Sequence, residues 1–133
     1  MLKILAVDDM QQWRNYHTEA LSVILKAVPY ELILAESATS ALEIINENID
    51  SKFDLIISDL QMESTFEPEY AGEWLIRNIQ NIKQYHLTPK IIVSAAYNVK
   101  FIAEQLNVHY LSKPSIIHNP LAYELKIREG LNC

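Results

Sequence analysis

Three carboxylates, one hydroxyl and one ammonium in this chain have the chemistry to act together: Asp8 and Asp9, Asp59, Ser94 and Lys113. Crowding Asp8, Asp9 and Asp59 into one cleft is unfavourable unaided, because like charges a few ångströms apart push one another toward protonation. A hard divalent cation resolves that conflict, and magnesium suits a few carboxylates completed by waters and phosphate oxygens. One carboxylate is then free to attack phosphorus and form an acyl phosphate. In such a transfer Lys113 and the metal neutralise the equatorial oxygens, and Ser94 hydrogen-bonds one of them. The residue types point to phosphoryl transfer.

What must position them is a sheet. Lys3-Ile4-Leu5-Ala6-Val7 runs into Asp8-Asp9, and Phe53-Asp54-Leu55-Ile56-Ile57-Ser58 runs into Asp59. Lys90-Ile91-Ile92-Val93 runs into Ser94, and Val108-His109-Tyr110-Leu111-Ser112 runs into Lys113-Pro114. Short apolar runs separated by helical stretches read as buried strands of a parallel sheet. Ligands in such sheets bind beyond the carboxyl ends of the strands. All the reactive residues therefore fall on one sheet edge.

A further strand is expected over Tyr30-Glu31-Leu32-Ile33-Leu34-Ala35, so five strands alternate with five helices, an α/β pattern. The first helix is expected over residues 10–28, with Trp13, Ala20, Leu21, Ile24, Leu25 and Val28 forming one apolar stripe before Pro29. Others are expected over 39–48, 72–84 and 98–106. Ser37, Thr39 and Ser40 compete as the cap of the second. Asn119-Pro120 opens the last helix, with Asn119 capping it, and Gly130 closes it. Trp13 and Trp74 read as packing residues.

Composition narrows the function. The chain has 133 residues, half of them hydrophobic, which fits a single folded domain over 1–133. Seventeen acids against eleven bases give a net charge of -6, which argues against nucleic acid as a direct partner. Cys133 is the one cysteine, so no internal disulfide can form and a reducing compartment is expected. The opening shows no signal-peptide pattern and the chain no spanning segment, so a cytoplasmic location away from membranes is expected. With only Gly72 and Gly130, neither a P-loop nor a dinucleotide fingerprint is possible. His17, His86, His109 and His118 show no metal-like pairing.

In these motifs the chain resembles the receiver domain of bacterial two-component response regulators, of the chemotaxis-regulator kind. The resemblance is carried by Val7-Asp8-Asp9, Ile57-Ser58-Asp59-Leu60-Gln61-Met62, Val93-Ser94-Ala95-Ala96 and Tyr110-Leu111-Ser112-Lys113-Pro114, with Arg14 after the acidic pair. Each motif is weak alone; together, in order and at the strand ends, they are specific, and they cover essentially the whole length. The resemblance implies a flavodoxin-like doubly wound fold with strand order 2-1-3-4-5. It implies that Asp59 accepts a phosphoryl group from a histidine kinase or phosphotransfer protein. Magnesium would be held by Asp8, Asp9, Asp59 and the backbone carbonyl of Gln61. Ser94 and Lys113 would bind the phosphoryl oxygens, Ala95 would leave room for them, and Tyr110 would be the switch aromatic. The output would be a downstream protein partner or a C-terminal output domain, from a monomer or a phosphorylation-dependent dimer. A regulatory phosphoacceptor is implied rather than an enzyme.

The chain also departs from the pattern. Glu63 stands where receivers usually have proline, and Ala71-Gly72 replaces Asp-Gly about five positions late, so the connection over 61–71 is lengthened. That stretch is either a modified lid or partner-recognition loop, altering dephosphorylation or kinase docking, or a tolerated surface insertion. One rival function is a phosphate-independent interaction module, against which Asp59, Ser94 and Lys113 speak. The other is a magnesium-dependent aspartyl-phosphate phosphohydrolase of the haloacid-dehalogenase kind. Those enzymes want an acid where Gln61 stands and a cap domain this length does not hold.

Overall fold

In the computed structural model, which describes residues 1–62 and 70–133, five parallel strands form one sheet in the order β2-β1-β3-β4-β5. They are β1 (Leu2–Val7), β2 (Tyr30–Ala35), β3 (Leu55–Ser58), β4 (Lys90–Ser94) and β5 (His109–Ser112). Strand order reverses between β1 and β3, where Val7 pairs with Ser58. That is the switch point at which a doubly wound sheet opens a crevice at its carboxyl edge. Asp8 and Asp59 are the next residues on the two strands, so register alone sets them side by side.

Successive strand residues face opposite sides, and the two cores divide accordingly. Ile4, Ala6, Leu55, Ile57, Ile91 and Val93 meet helix α1 (Gln11–Ile24) through Leu21 and the last helix through Tyr123 and Ile127. Leu5, Val7 and Ile56 meet α2 (Ala38–Glu47) and α3 (Ala71–Gln80) through Ala41, Ile45, Leu75 and Ile79. Ile92 and Leu60 pack with Val99, Ile102 and Leu106 of α4 (Val99–Leu106). Each fully buried leucine or isoleucine here contributes about 1.5–3 kcal/mol over the exposed state. The result is the expected flavodoxin-like α/β layering.

Several details differ from the sequence reading. Helix α1 stops at Ile24 instead of Val28, because the chain tightens into shorter-range bonds, Lys26 N–H to Val23 O and Val28 N–H to Leu25 O, before Pro29. Helix α3 stops at Gln80, and Lys83–Tyr85 forms a separate 3-10 turn that buries Tyr85. An additional short helix, α5 (Lys113–His118), precedes the last helix α6 (Pro120–Leu131). Ser112 caps α5 by accepting from Ser115 N–H at 3.2 Å. Asn119 occupies the N-cap position of α6 without a side-chain capping bond. Gly130 does not end α6; it lies inside the helix, and Asn132 at φ 60° provides the left-handed terminus. At α2 the cap is Ser37, whose Oγ accepts from Ser40 N–H at 3.1 Å. Most of the lengthened 61–71 connection, with Glu63, lies outside the described residues. No described helix is long and apolar enough to cross a membrane.

Candidate functional site

Lys113 Nζ lies 2.9 Å from Asp8 Oδ2 and 3.0 Å from Asp59 Oδ2. The contact to Asp59 is a hydrogen bond. The contact to Asp8 is an ion pair to a fully buried carboxylate, with Lys113 less well aligned on it than on Asp59. Asp8, Asp9 and Asp59 each bring a carboxylate oxygen within 4.8 Å of the others. Asp8, Asp59 and Lys113 are all buried, at 0%, 4% and 5% exposure, so solvent screens this charge little.

The acidic groups feel that burial. Desolvation pushes the Asp59 carboxyl above its ordinary range; the Lys113 ammonium pulls it back and the Asp8 charge pushes it up again. Asp8 is likewise raised by burial, against the pull of Lys113 and the Met10 N–H. One ammonium does not fully offset what burial costs the pair. A cleft that gathers three carboxylates around the Lys113 ammonium fits a hard divalent cation.

Local backbone geometry fixes each group. Asp59 N–H donates to Val7 O at 2.9 Å, and Leu60 N–H donates to Asp59 Oδ1 at 2.7 Å. The buried Ser58 hydroxyl donates to Asp59 O at 2.8 Å. Asp8 Oδ1 accepts from Met10 N–H at 2.9 Å, and Arg14 Nη1 donates to Asp8 O, also at 2.9 Å. Ser94 is fully buried at the end of β4, its Oγ accepting from Ala96 N–H at 3.1 Å. It pairs in register with Ser112, the residue before Lys113. An open cavity of about 300 Å³ reaches Asp59 and Lys113 between Met10, Trp13, Gln61, Ala95, Pro114 and Ile117.

Neither a family model nor a curated protein matches the sequence. Solved structures do. Chemotaxis protein CheY4 of Vibrio cholerae is 26% identical over 86% of this chain and 88% of that one, with a TM-score of 0.66. A response regulator receiver domain protein from Clostridium thermocellum is 24% identical over 99% of this chain and 95% of its own, at a TM-score of 0.77. A signal receiver domain of a two-component histidine kinase from the same organism is 21% identical over 98% of each chain, at 0.78.

This is the receiver fold of response regulators. Within the receiver, Asp8, Asp9, Asp59 and Lys113 meet in one cleft, with Gln61 and Ala95 on the cavity wall beside them. Tyr110 lies apart from the acids, half-buried on β5 opposite Ile92 and packed with the α4 cluster.

Two residues at the receiver's site escaped the sequence reading of their roles. Gly72, in the first turn of α3, lies directly against the backbone of Asp59: a Cβ on it would stand 2.0 Å from Asp59 O. The scarcity of glycine in the chain was the available signal. Trp13, read as packing, lines the cavity with its ring centroid 5.0 Å from Lys113 Nζ. Its place four residues after Asp9, in the first turn of α1, was the available signal there.

Proposed function

We propose that this receiver is a phosphorylation-controlled signalling switch that takes a phosphoryl group on Asp59 from a histidine kinase or phosphotransfer protein. The observation that carries the reading is Lys113 Nζ within 3.0 Å of both Asp8 and Asp59 at the floor of an open cavity. An Asp59 carboxylate oxygen attacks phosphorus in line, the bond from phosphorus to the donor breaks, and an acyl phosphate forms on Asp59. Lys113, already against Asp59, needs only a small displacement to pair with a phosphoryl oxygen. Ser94 offers its hydroxyl to another, and Ala95 leaves the approach open.

Magnesium is the expected cofactor, held by Asp8, Asp9 and Asp59 with the Gln61 carbonyl. When bound, it neutralises the carboxylates and the incoming phosphoryl oxygens. The gathering of Asp8, Asp9 and Asp59 carboxylate oxygens within 4.8 Å of one another supports that assignment.

The switch follows from differential contacts. Ser94 drawn toward the phosphoryl group alters the end of β4, and Tyr110 on the adjacent strand turns into the altered space. The surface formed by α4 and β5 then differs between the two states, and a protein partner or an output domain reads it. The test is intact mass after incubation with acetyl phosphate and magnesium, for wild type and Asp59→Asn. One phosphoryl adduct that needs magnesium and is absent from the variant supports the switch. An adduct that persists in Asp59→Asn, or failure to take up either phosphoryl or beryllofluoride, overturns it.

A further inference from the structure

We propose that Trp13 is a positioning residue for Lys113, its indole face holding the ammonium over Asp59 when the carboxylates are committed to a cation; the inference rests on the phosphoacceptor reading above. Lys113 Nζ is contacted from two sides by Asp8 and Asp59 and from a third by the Trp13 ring, at 5.0 Å from its centroid. A cation over an indole face at this distance is attracted by the ring quadrupole, the more so when desolvated. Lys113 is 5% exposed.

The three contacts do not respond alike to cation binding. Carboxylate lone pairs engaged by a divalent ion, or by a newly attached phosphoryl group, are withdrawn from the lysine. The indole binds neither, so its hold on the ammonium remains. Without it, a flexible lysine chain beside an open cavity can swing toward solvent at the moment its charge is needed. Holding it cuts the reorganisation required in the transition state.

Trp13 is built to do this rather than simply fill space. Its ring is braced by Tyr16, with centroids 5.1 Å apart, and by His17 at 6.2 Å. His17 is itself buried and hydrogen-bonded through Nδ1 to the Tyr123 hydroxyl of α6 at 2.7 Å. Tyr16 meets Tyr123 edge-on, with centroids 5.1 Å apart. The indole is therefore braced by two rings of its own helix, which Tyr123 of α6 backs in turn, and its face is met by Lys113.

A packing role and a positioning role separate under ring fluorination, which weakens the quadrupole with little change in shape. In a Trp74→Phe background, Trp13 is replaced biosynthetically by mono-, di- and trifluorotryptophan. The initial rate of adduct formation from acetyl phosphate and magnesium is then followed by intact mass. The expected result is a stepwise fall reaching roughly three- to tenfold, with Trp13→Phe close to the parent and Trp13→Leu slower still. Rates indifferent to fluorination overturn the inference and leave the phosphoacceptor reading standing. A parent that takes up neither a phosphoryl group nor beryllofluoride overturns both. A second readout needs no turnover: the Lys113 ε-methylene protons, lying near the indole, carry an upfield ring-current shift in NMR spectra. The shift is expected to persist when magnesium is added, and its collapse would overturn the inference.

Discussion

Gly72 rests against the carbonyl oxygen of Asp59 so closely that an added Cβ would stand 2.0 Å from that oxygen and 2.7 Å from Leu60 Cα. Both contacts are to backbone, which cannot rotate away as a side-chain tip can. Gly72 N–H also donates to Leu60 O at 3.0 Å, so the start of α3 is tied to the residue that follows Asp59. Gly72→Ala must therefore move either α3 or Asp59. A stability loss of about 1–3 kcal/mol is expected, as for other forced overpacking. The loss of phosphorylation rate should exceed what partial unfolding explains, because a displaced Asp59 no longer faces Lys113. Chemical denaturation together with adduct formation by mass checks both; a fully active, fully stable alanine variant would show that the approach is not constrained.

Asp59 carries charge at the expense of stability. Its carboxyl is raised by burial more than Lys113 can restore, so the folded protein holds this proton to a higher pH than the unfolded chain does. With the folded pKa above the unfolded one, this group's stability contribution is present at low pH. It is lost as pH rises from the ordinary carboxylate range through the raised value. Asp59→Asn is expected to stabilise the metal-free protein near neutral pH by about 0.5–2 kcal/mol. The advantage should vanish on acidification. Magnesium should raise the wild-type melting temperature in a concentration-dependent way and move the variant less. Thermal unfolding in chelator and in magnesium, at neutral and acidic pH, decides it.

The strand ends were the legible part of this molecule. Each reactive residue closes an apolar run, and in a parallel sheet that alone assigns it to one edge; the register between Val7 and Ser58 then does the rest. What stayed hidden depends on distances across the fold. Periodicity marked Trp13 as inward-facing, and it does face inward. In the first turn of α1, however, inward means the strand ends and Lys113 rather than the middle of the core. Gly72 read as a displaced motif glycine, since nothing local reveals which backbone lies opposite it. The short helix α5 contains Lys113-Pro114, a pair that reads as the end of a strand and conceals the Ser112 cap behind it.

Gly130 offers a direct test of where the last helix stops. A terminal glycine in the left-handed region would make Gly130→Ala destabilising. Inside α6 the opposite term operates, since alanine exceeds glycine in helix propensity by about 1 kcal/mol. The added Cβ would meet Leu55 Cδ1 at 3.0 Å, the mobile end of a side chain, and Ile91 Cδ1 at 3.6 Å. A small shift of Leu55 relieves that contact. Gly130→Ala is expected to be neutral or stabilising by up to about 1 kcal/mol, measured by denaturant midpoint. A loss beyond that size would mean the packing against β3 has no such slack.

His17 sets an acid limit on stability. It is 1% exposed, and burial, with the Lys113 charge adding to it, lowers its pKa from 6.5 to about 3. In the unfolded chain it protonates below 6.5, while in the folded protein it stays neutral. The unfolded state thus binds the extra proton, and stability falls as pH drops from about 6.5 toward 3. From pH 7 to pH 5 this single group is worth about 2 kcal/mol. Asp8 and Asp59, both raised, titrate with the opposite sign, so the wild-type curve alone cannot isolate it. The difference between wild type and His17→Phe can, because the carboxylates are common to both. The variant also leaves the Tyr123 hydroxyl without its partner, a cost of about 1–3 kcal/mol that lowers its stability at every pH. That cost moves the intercept, whereas the lost imidazole removes slope. Urea unfolding at several pH values should therefore place His17→Phe below wild type near neutral pH, with the gap narrowing as the pH falls. Two parallel curves would mean that His17 takes up a proton in the folded protein as readily as in the unfolded one.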